Sequence, residues 1–332
     1  MEETVAGQFT GEIRAAAAAA YGVSDTQLSL LGDFESYVFG YEKHGRPCVL
    51  RITHPSHRTA DQIEAELDWV RHLTAHGVRL ARPVPSPAGS WTTTVGTGEG
   101  TFHVCSFERV PGTHPTAEEW TPELFRRWGA FLGATHRLTR EYRRSPGIVR
   151  RLRWDENPYW LRGRDWIPEE AEATRRRWDE LAAARRALPE TPETFGICHT
   201  DLHPSNFHVH AGEIHAFDTD DCCHHWFLED LSSVLFYGRR HVGSDPDVDA
   251  FARTAWPEVW RGYRSEFDLP REWLDRLELF MPWRRLTLFA LVHMKFPHDG
   301  EVVQNWRRAG REAIDPGRPV FGVGLRTLVA GI

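Results

Sequence analysis

A chain of 332 residues, 41% apolar and 26% charged, is long enough to bury a large core in one or two domains and has the composition of an ordinary globular protein. Its net charge of −7 argues against nonspecific nucleic-acid binding and agrees with a cationic substrate. The five cysteines (Cys48, Cys105, Cys198, Cys222, Cys223) are odd in number and unevenly spaced, which implies no disulfide framework and suits a reducing, cytoplasmic setting.

Met1-Glu2-Glu3 opens the chain without a basic region ahead of an apolar stretch, so no targeting segment is read there, and no apolar run is long enough to span a bilayer. Ala15 to Ala20 reads as part of a helix. Glu35–Tyr41 and Pro47–Ile52 are alternating or β-branched runs around Lys43-His44-Gly45-Arg46, which predicts a hairpin. Apolar residues at Ile63, Leu67, Val70 and Leu73 give Thr59–His76 a helical period, stopped by Gly77. Two more strands are expected near Trp91–Val95 and Thr101–Val110. After Pro111-Gly112 helical patterns dominate, at Thr121–Tyr142, Glu169–Leu188, Val248–Phe267, Arg271–His298 and Glu301–Glu312.

The densest chemical signal is His199-Thr200-Asp201-Leu202-His203-Pro204-Ser205-Asn206. An Asp followed five residues later by an Asn has the spacing of a phosphoryl-transfer loop, in which the Asp accepts a hydroxyl proton and the Asn holds magnesium. Twelve residues on, Ile214-His215-Ala216-Phe217-Asp218 is a short apolar strand ending in a carboxylate, where a second metal ligand belongs. A surface Asx-turn is the competing account of Asp201. The joint spacing of Asp201, Asn206 and Asp218 favours the catalytic one.

With Phe217-Asp218-Thr219-Asp220-Asp221 and Trp226-Phe227-Leu228-Glu229-Asp230-Leu231, the sequence resembles the aminoglycoside phosphotransferase and choline kinase superfamily. The likeness covers nearly the whole chain and is densest between residues 30 and 240. It implies an α+β, bilobal protein-kinase-like fold. Residues 1–110 would form a small antiparallel nucleotide-binding lobe and residues 111–332 a large, mainly helical catalytic and acceptor-binding lobe, hinged near Phe107–Gly112. It also implies ATP and Mg2+ as cofactors, Asp201 as the base, and Asn206 and Asp218 as metal ligands.

Other roles come from the same resemblance. Arg51 stands where the family has a phosphate-contacting lysine, with Glu66, or less readily Glu64, as its helix partner. Lys43 and Lys295 are the only lysines, so Arg51 fits a drift from Lys to Arg; a purely structural arginine is the other reading. Ser36, in the loop Gly32–Ser36, either touches the phosphates or belongs to a plain polar turn, and backbone between Phe107 and Val110 would meet the adenine edge. Asp230 would brace the catalytic loop and His199 support it, while His203 serves the site or packs beneath it. Asp220 and Asp221 are outer-shell metal helpers, contacts for a cationic substrate, or a solvated turn.

Cys222-Cys223-His224-His225 lacks the spacing of a zinc site, whose ligands usually stand two to four residues apart. Among fourteen tryptophans, Trp154, Trp160, Trp226, Trp256, Trp260 and Trp283 lie where this superfamily builds its acceptor site; core packing explains most of them, and a cage for a quaternary ammonium is the alternative. Arg284 meets either an acidic part of the substrate or a structural salt bridge. The expected activity is phosphoryl transfer from ATP to a hydroxyl of a small molecule, such as an aminoglycoside-like antibiotic, homoserine or choline. A serine/threonine protein kinase and a non-catalytic nucleotide-binding pseudokinase are the alternatives, and no nucleic-acid or membrane partner is expected.

Overall fold

The computed structural model describes residues 3–98, 100–238, 247–296, 300–314 and 320–332. After a short turn of helix α1 (Glu3–Ala6), α2 (Gly11–Ala20) starts at Thr10, whose hydroxyl accepts a hydrogen bond from the Ile13 amide. Strands β1 (Ser29–Gly32), β2 (Tyr37–Lys43) and β3 (Arg46–Thr53) precede α3 (Ala60–Ala75), and β4 (Thr92–Gly96) and β5 (Thr101–Glu108) follow it. The five strands form one antiparallel sheet in the order β1-β2-β3-β5-β4. The β2–β3 hairpin turns at His44 and Gly45, both at positive φ (52° and 74°), the backbone that a tight two-residue hairpin requires.

Strand alternation divides the sheet between two helices. Phe39, Leu50, Ile52, Phe102 and Val104 face Ile13, Ala17 and Tyr21 of α2. Cys105 and Phe107 face Ile63 and Leu67 of α3. Arg51 pairs across the sheet with Cys105 and shares that second face. A Thr59–Gln62 capping box fixes the start of α3, and the buried stripe that carries Ile63, Leu67 and Val70 also carries Glu66.

Beyond β5 the chain becomes mainly helical: α4 (Pro122–Glu141), α5 (Pro158–Trp166), α6 (Glu172–Arg186), α7 (Leu228–Gly238), α8 (Val248–Arg264), α9 (Leu277–Lys295), α10 (Glu301–Ile314) and α11 (Leu325–Leu328). Between α6 and α7 lie two small antiparallel pairs, β6 (Phe195–Cys198) with β9 (Cys223–Trp226) and β7 (Phe207–His210) with β8 (Glu213–Ala216). Helices α4 and α8 touch backbone to backbone: a Cβ on Gly262 would lie 1.9 Å from the Arg126 carbonyl oxygen. The architecture is the bilobal kinase-like one that the sequence implies.

Most expected elements appear with ends shifted by a few residues. The run expected at Arg271–His298 divides into a 3₁₀ segment, Arg271–Arg276, and α9, with His298 outside the described residues. Helix α7 was not expected. Leu228 to Phe236 are all buried, the polar Glu229, Asp230, Ser232 and Ser233 included, although Leu228, Leu231, Val234 and Leu235 keep a helical spacing.

Candidate active site

The loop that carries Asp201 and Asn206 spans the gap between β6 and β7, anchored by the fully buried Leu202 and Phe207. Asp230, at the start of α7, accepts hydrogen bonds from the His199 amide (3.0 Å) and the Thr200 amide (2.7 Å), and its carboxylate lies 3.0 Å from His136 Nε2. These bonds hold the loop from below, in the place the resemblance assigned to Asp230. Burial opposes charge on Asp230, but His136, His199 and the Thr200 amide outweigh it and lower its pKa. Thr200 sits at φ 65°, an uncommon backbone for a β-branched residue, and its hydroxyl donates to the Asp221 carbonyl (2.9 Å). His199 is buried, with Nε2 3.2 Å from the Phe217 carbonyl, and burial lowers its pKa against the pull of Asp230 and Asp201.

Asp201 is part-exposed in the cleft. Asn206 Nδ2 donates to its backbone carbonyl (2.9 Å) and to Oδ2 (3.2 Å), and His203 Nε2 stands 3.4 Å from the same oxygen. The sequence left Arg284 a choice of partners; the structure gives it Asp201, with Nη2 2.5 Å from Oδ1, so it is not a free contact for an acidic substrate group. Desolvation pushes Asp201 up, but His203 and Arg284 outweigh it and hold the carboxyl below its usual range.

On the sheet side Arg51 makes a buried, bidentate pair with Glu66, at 3.0 and 2.5 Å, and its guanidinium lies over the Phe107 ring. Glu66, rather than Glu64, is thus the helix partner, and it also accepts from the Thr219 hydroxyl (2.6 Å). Arg51 is buried yet lines the sheet-side cavity described below. Ser36 lines that cavity too, with its hydroxyl 2.9 Å from Thr53 Oγ1.

Asp220 is a buried junction and not a solvated turn. His57 Nε2 lies 2.6 Å from Oδ2, Arg51 Nη1 3.8 Å from Oδ1, and Arg151 donates to its carbonyl (2.6 Å). Desolvation would raise Asp220; Arg58, His57 and Arg51 outweigh it and hold it well below the carboxylate range. Asp221 pairs with Arg58 at 2.5 Å, but desolvation, reinforced by Glu35 and Asp220, pushes its pKa up. His57, Arg58 and Arg151 carried no signal in the sequence. Lys295 did carry one, as one of two lysines in an arginine-rich chain.

Two cavities meet at Asp218 and Asp220. One, of about 510 Å3, lies beneath the sheet between Val38, Val49, Phe107, Val110 and Phe217. The Val110 amide has no hydrogen-bond partner among the described residues, which leaves a donor for an adenine edge. The other, of about 440 Å3, opens beside Asp201 and is walled by α9. A third hollow behind α3, lined by His72, Trp91 and Tyr142, contains none of the motif residues.

Asp218 sits two residues past β8 at φ 63°, a strained position that aims it into both cavities. Among the described residues its side chain has no hydrogen bond or ion pair. Desolvation and then the Asp220 carboxylate push its pKa up, even though its surface is open to the cleft. Asn206 uses its amide nitrogen on Asp201, which leaves its oxygen available in the same cavity. A carboxylate without a cation beside an amide oxygen is the hard-oxygen donor set that suits a divalent ion, so the residues present fit one.

The tryptophans hold a cation from the chain itself. Trp154, Trp160, Trp226, Trp283 and Phe280 surround the fully buried Arg185, with ring centroids 4.6 to 5.9 Å from its guanidinium carbon. Arg185 Nη2 is 2.5 Å from His225 Nε2 and 3.3 Å from Glu229 Oε2. Trp256 donates to the Leu325 carbonyl and Trp260 stacks on Tyr263, so both serve core packing. Of these six tryptophans Trp160 alone also lines the cavity beside Asp201, which is one ring and not a cage.

A nucleotide-sized hollow under a five-stranded sheet, a braced Asp loop and a cation-seeking Asp where the lobes meet define a kinase-like phosphotransferase. The chain belongs to the phosphotransferase enzyme family, whose model matches residues 26–265. It is 33% identical to an amicoumacin kinase of Bacillus subtilis (strain 168) over 325 residues, 96% of each chain. Its structure is similar to that of an amicoumacin kinase solved in complex with AMP-PNP, Ca2+ and Ami, with TM-score 0.93, 30% identity, and 99% and 100% of the two chains covered. A microcompartment-associated aminopropanol kinase follows at TM-score 0.75 and 25% identity, covering 92% of this chain and 97% of that one. The chain is an ATP-dependent kinase that transfers phosphate to a hydroxyl of a small molecule, with a divalent metal as cofactor.

Proposed function

We propose that the acceptor is an amine-bearing alcohol with an apolar body, and that amicoumacin, on which the 33%-identical relative's name says it acts, is the first candidate. The cavity beside Asp201 carries this reading. Asp218, without an ion pair among the described residues, and Glu35, Asp201 and Asp221, each paired with a basic residue, give it an acidic side, while Phe34, Leu288 and Leu291 give it an apolar one. An ammonium near the reacting hydroxyl suits the first wall, and a flat or aliphatic body suits the second.

In this mechanism residues 1–110 bind ATP and residues 111–332 bind the acceptor and carry the base. The Val110 amide meets the adenine edge, Arg51 with Glu66 orients the phosphates, and Ser36 helps to close the loop over them. Asp201 orients the acceptor hydroxyl in line with the γ-phosphate and accepts its proton late in transfer. Asn206 and Asp218 would hold magnesium, which when bound neutralises charge growing on the transferred group. His199 and Asp230 keep the loop in register, and Asp220 and Asp221 set the local charge. A cytoplasmic location agrees with five free, buried cysteines.

The test is magnesium-dependent ADP release with amicoumacin, aminopropanol, homoserine, choline and an aminoglycoside. Amicoumacin should dominate the panel. Turnover confined to any of the other alcohols would reject the assignment.

Lys295 on α9 lies 2.9 Å from Glu35 Oε1 and 4.7 Å from the centre of the Phe34 ring, and so ties the loop between β1 and β2 to the acceptor wall. A half-buried ion pair and a cation–π contact together amount to roughly 1.4 kcal/mol, so Lys295→Ala should raise the acceptor KM about tenfold. Unchanged steady-state KM for the acceptor would show that the tie has no part in binding.

A further inference from the structure

Two adjacent residues of α9 face different buried groups. Trp283 packs on Arg185, 4.6 Å from ring centre to guanidinium carbon, while Arg284 reaches the catalytic loop. Its fork has two targets: Nη1 donates to the Thr200 carbonyl (2.9 Å) and Nη2 to Asp201 Oδ1 (2.5 Å).

We propose that Arg284 is the positioning residue for the base, a role that rests on the reading of Asp201 as that base. Arg284 is held rigidly, with 7% of its side chain exposed against 32% for Asp201, so the arginine is the fixed partner and the aspartate the one held. The guanidinium also lies 5.2 Å from the centre of the Tyr237 ring, which limits its tilt. Grip on a backbone carbonyl and a side-chain oxygen at once fixes both the loop path and the Asp201 rotamer. A planar fork can do this, and a single ammonium can satisfy only one of the two targets well.

The grip falls on the least relaxed residue of the loop. Thr200 keeps its left-handed backbone through three bonds: its amide to Asp230, its hydroxyl to Asp221 and its carbonyl to Arg284. Oδ1 accepts from Arg284 and Oδ2 from Asn206, with His203 3.4 Å from Oδ2, so both oxygens are oriented, and Oδ1 carries the shorter, charged bond. Arg284 shares a helical face with Thr287, Leu288, Leu291 and Lys295, which line the acceptor cavity. One helix therefore shapes the acceptor wall and sets the angle of the base.

The experiment compares the full-length chain with Arg284→Met, Arg284→Lys and Asp201→Asn, using amicoumacin or whichever alcohol of the panel is turned over, with AMP-PNP affinity measured by calorimetry. Misplacing a base by about 1 Å lowers turnover by about a hundredfold, so Arg284→Met should lose about that much kcat while acceptor KM and AMP-PNP affinity move by less than about threefold. Arg284→Lys should regain part of the loss and retain a wild-type melting curve, which separates positioning from folding. A raised KM at unchanged kcat would make Arg284 a substrate contact and overturn the proposal, as would wild-type kcat in Arg284→Met. If Asp201→Asn is itself fully active, the base assignment fails; if it is inactive while Arg284→Met is normal, only the role of Arg284 fails.

Discussion

Asp201→Asn is expected to lower kcat by about 10²- to 10⁴-fold, the span that a positioned general base supplies, with AMP-PNP affinity nearly unchanged. The substitution keeps the size of the side chain and, with its oxygen towards Arg284, that contact, but it sets an amide NH2 opposite Asn206 Nδ2 and removes the oxygen that can take a proton. Nucleotide affinity should persist because the sheet-side cavity, with Arg51, Ser36 and Val110, does not include Asp201. Because Arg284 is buried, removing the charge it faces also destabilises the loop, so melting must be followed beside activity. Retention of more than about a third of wild-type kcat would refute the assignment of Asp201 as base.

The second large effect is on stability. Arg185→Met should destabilise the fold by about 3–5 kcal/mol, because it leaves Glu229 buried among aromatic rings without its cation. Burial already strains the group: it pulls the Arg185 pKa down to about 10 and pushes that of Glu229 up. His225, whose own pKa burial and then Arg185 hold far down, accepts from Arg185 and loses that donor too. The double substitution Arg185→Met with Glu229→Gln should recover much of the loss, since it removes both charges together. Urea unfolding of the two variants checks this: equal midpoints for wild type and the single variant would mean that the buried pair contributes nothing. Activity should fall as well, because Glu229 adjoins Asp230, and Trp283, which covers Arg185, adjoins Arg284.

Much of the fold could be read in advance where a segment has two unlike faces. Helix α3 showed its period because one stripe is buried and the other wet, and the β2–β3 hairpin showed itself through the turn at His44-Gly45. Helix α7 also carries a helical spacing, at Leu228, Leu231, Val234 and Leu235, but its intervening polar residues are buried, so burial there does not follow polarity. In the site, Asp201 and Asn206 lie in one short loop and Asp218 just beyond one hairpin, so their spacing in the chain nearly equals their arrangement in space. The family resemblance matches Glu66 to Arg51, and the two pair in the structure.

The sequence by itself determined the loop that carries Asp201 and Asn206, the hairpin that delivers Asp218, the strand and helix that present Arg51 and Glu66, and with them the class of reaction. Only the tertiary structure decided which cation answers which carboxylate. Arg284 comes from 83 residues beyond Asp201, and His57 precedes Asp220 by 163. Arg185, on α6, gathers its rings from the segment ahead of α5 (Trp154), from α5, from β9 and from α9. Charge pairing depends on distance and on how much water the fold removes from between the partners. Neither quantity is periodic along the chain, so the motif names the reacting groups, and the packing of distant elements sets their charge and aim.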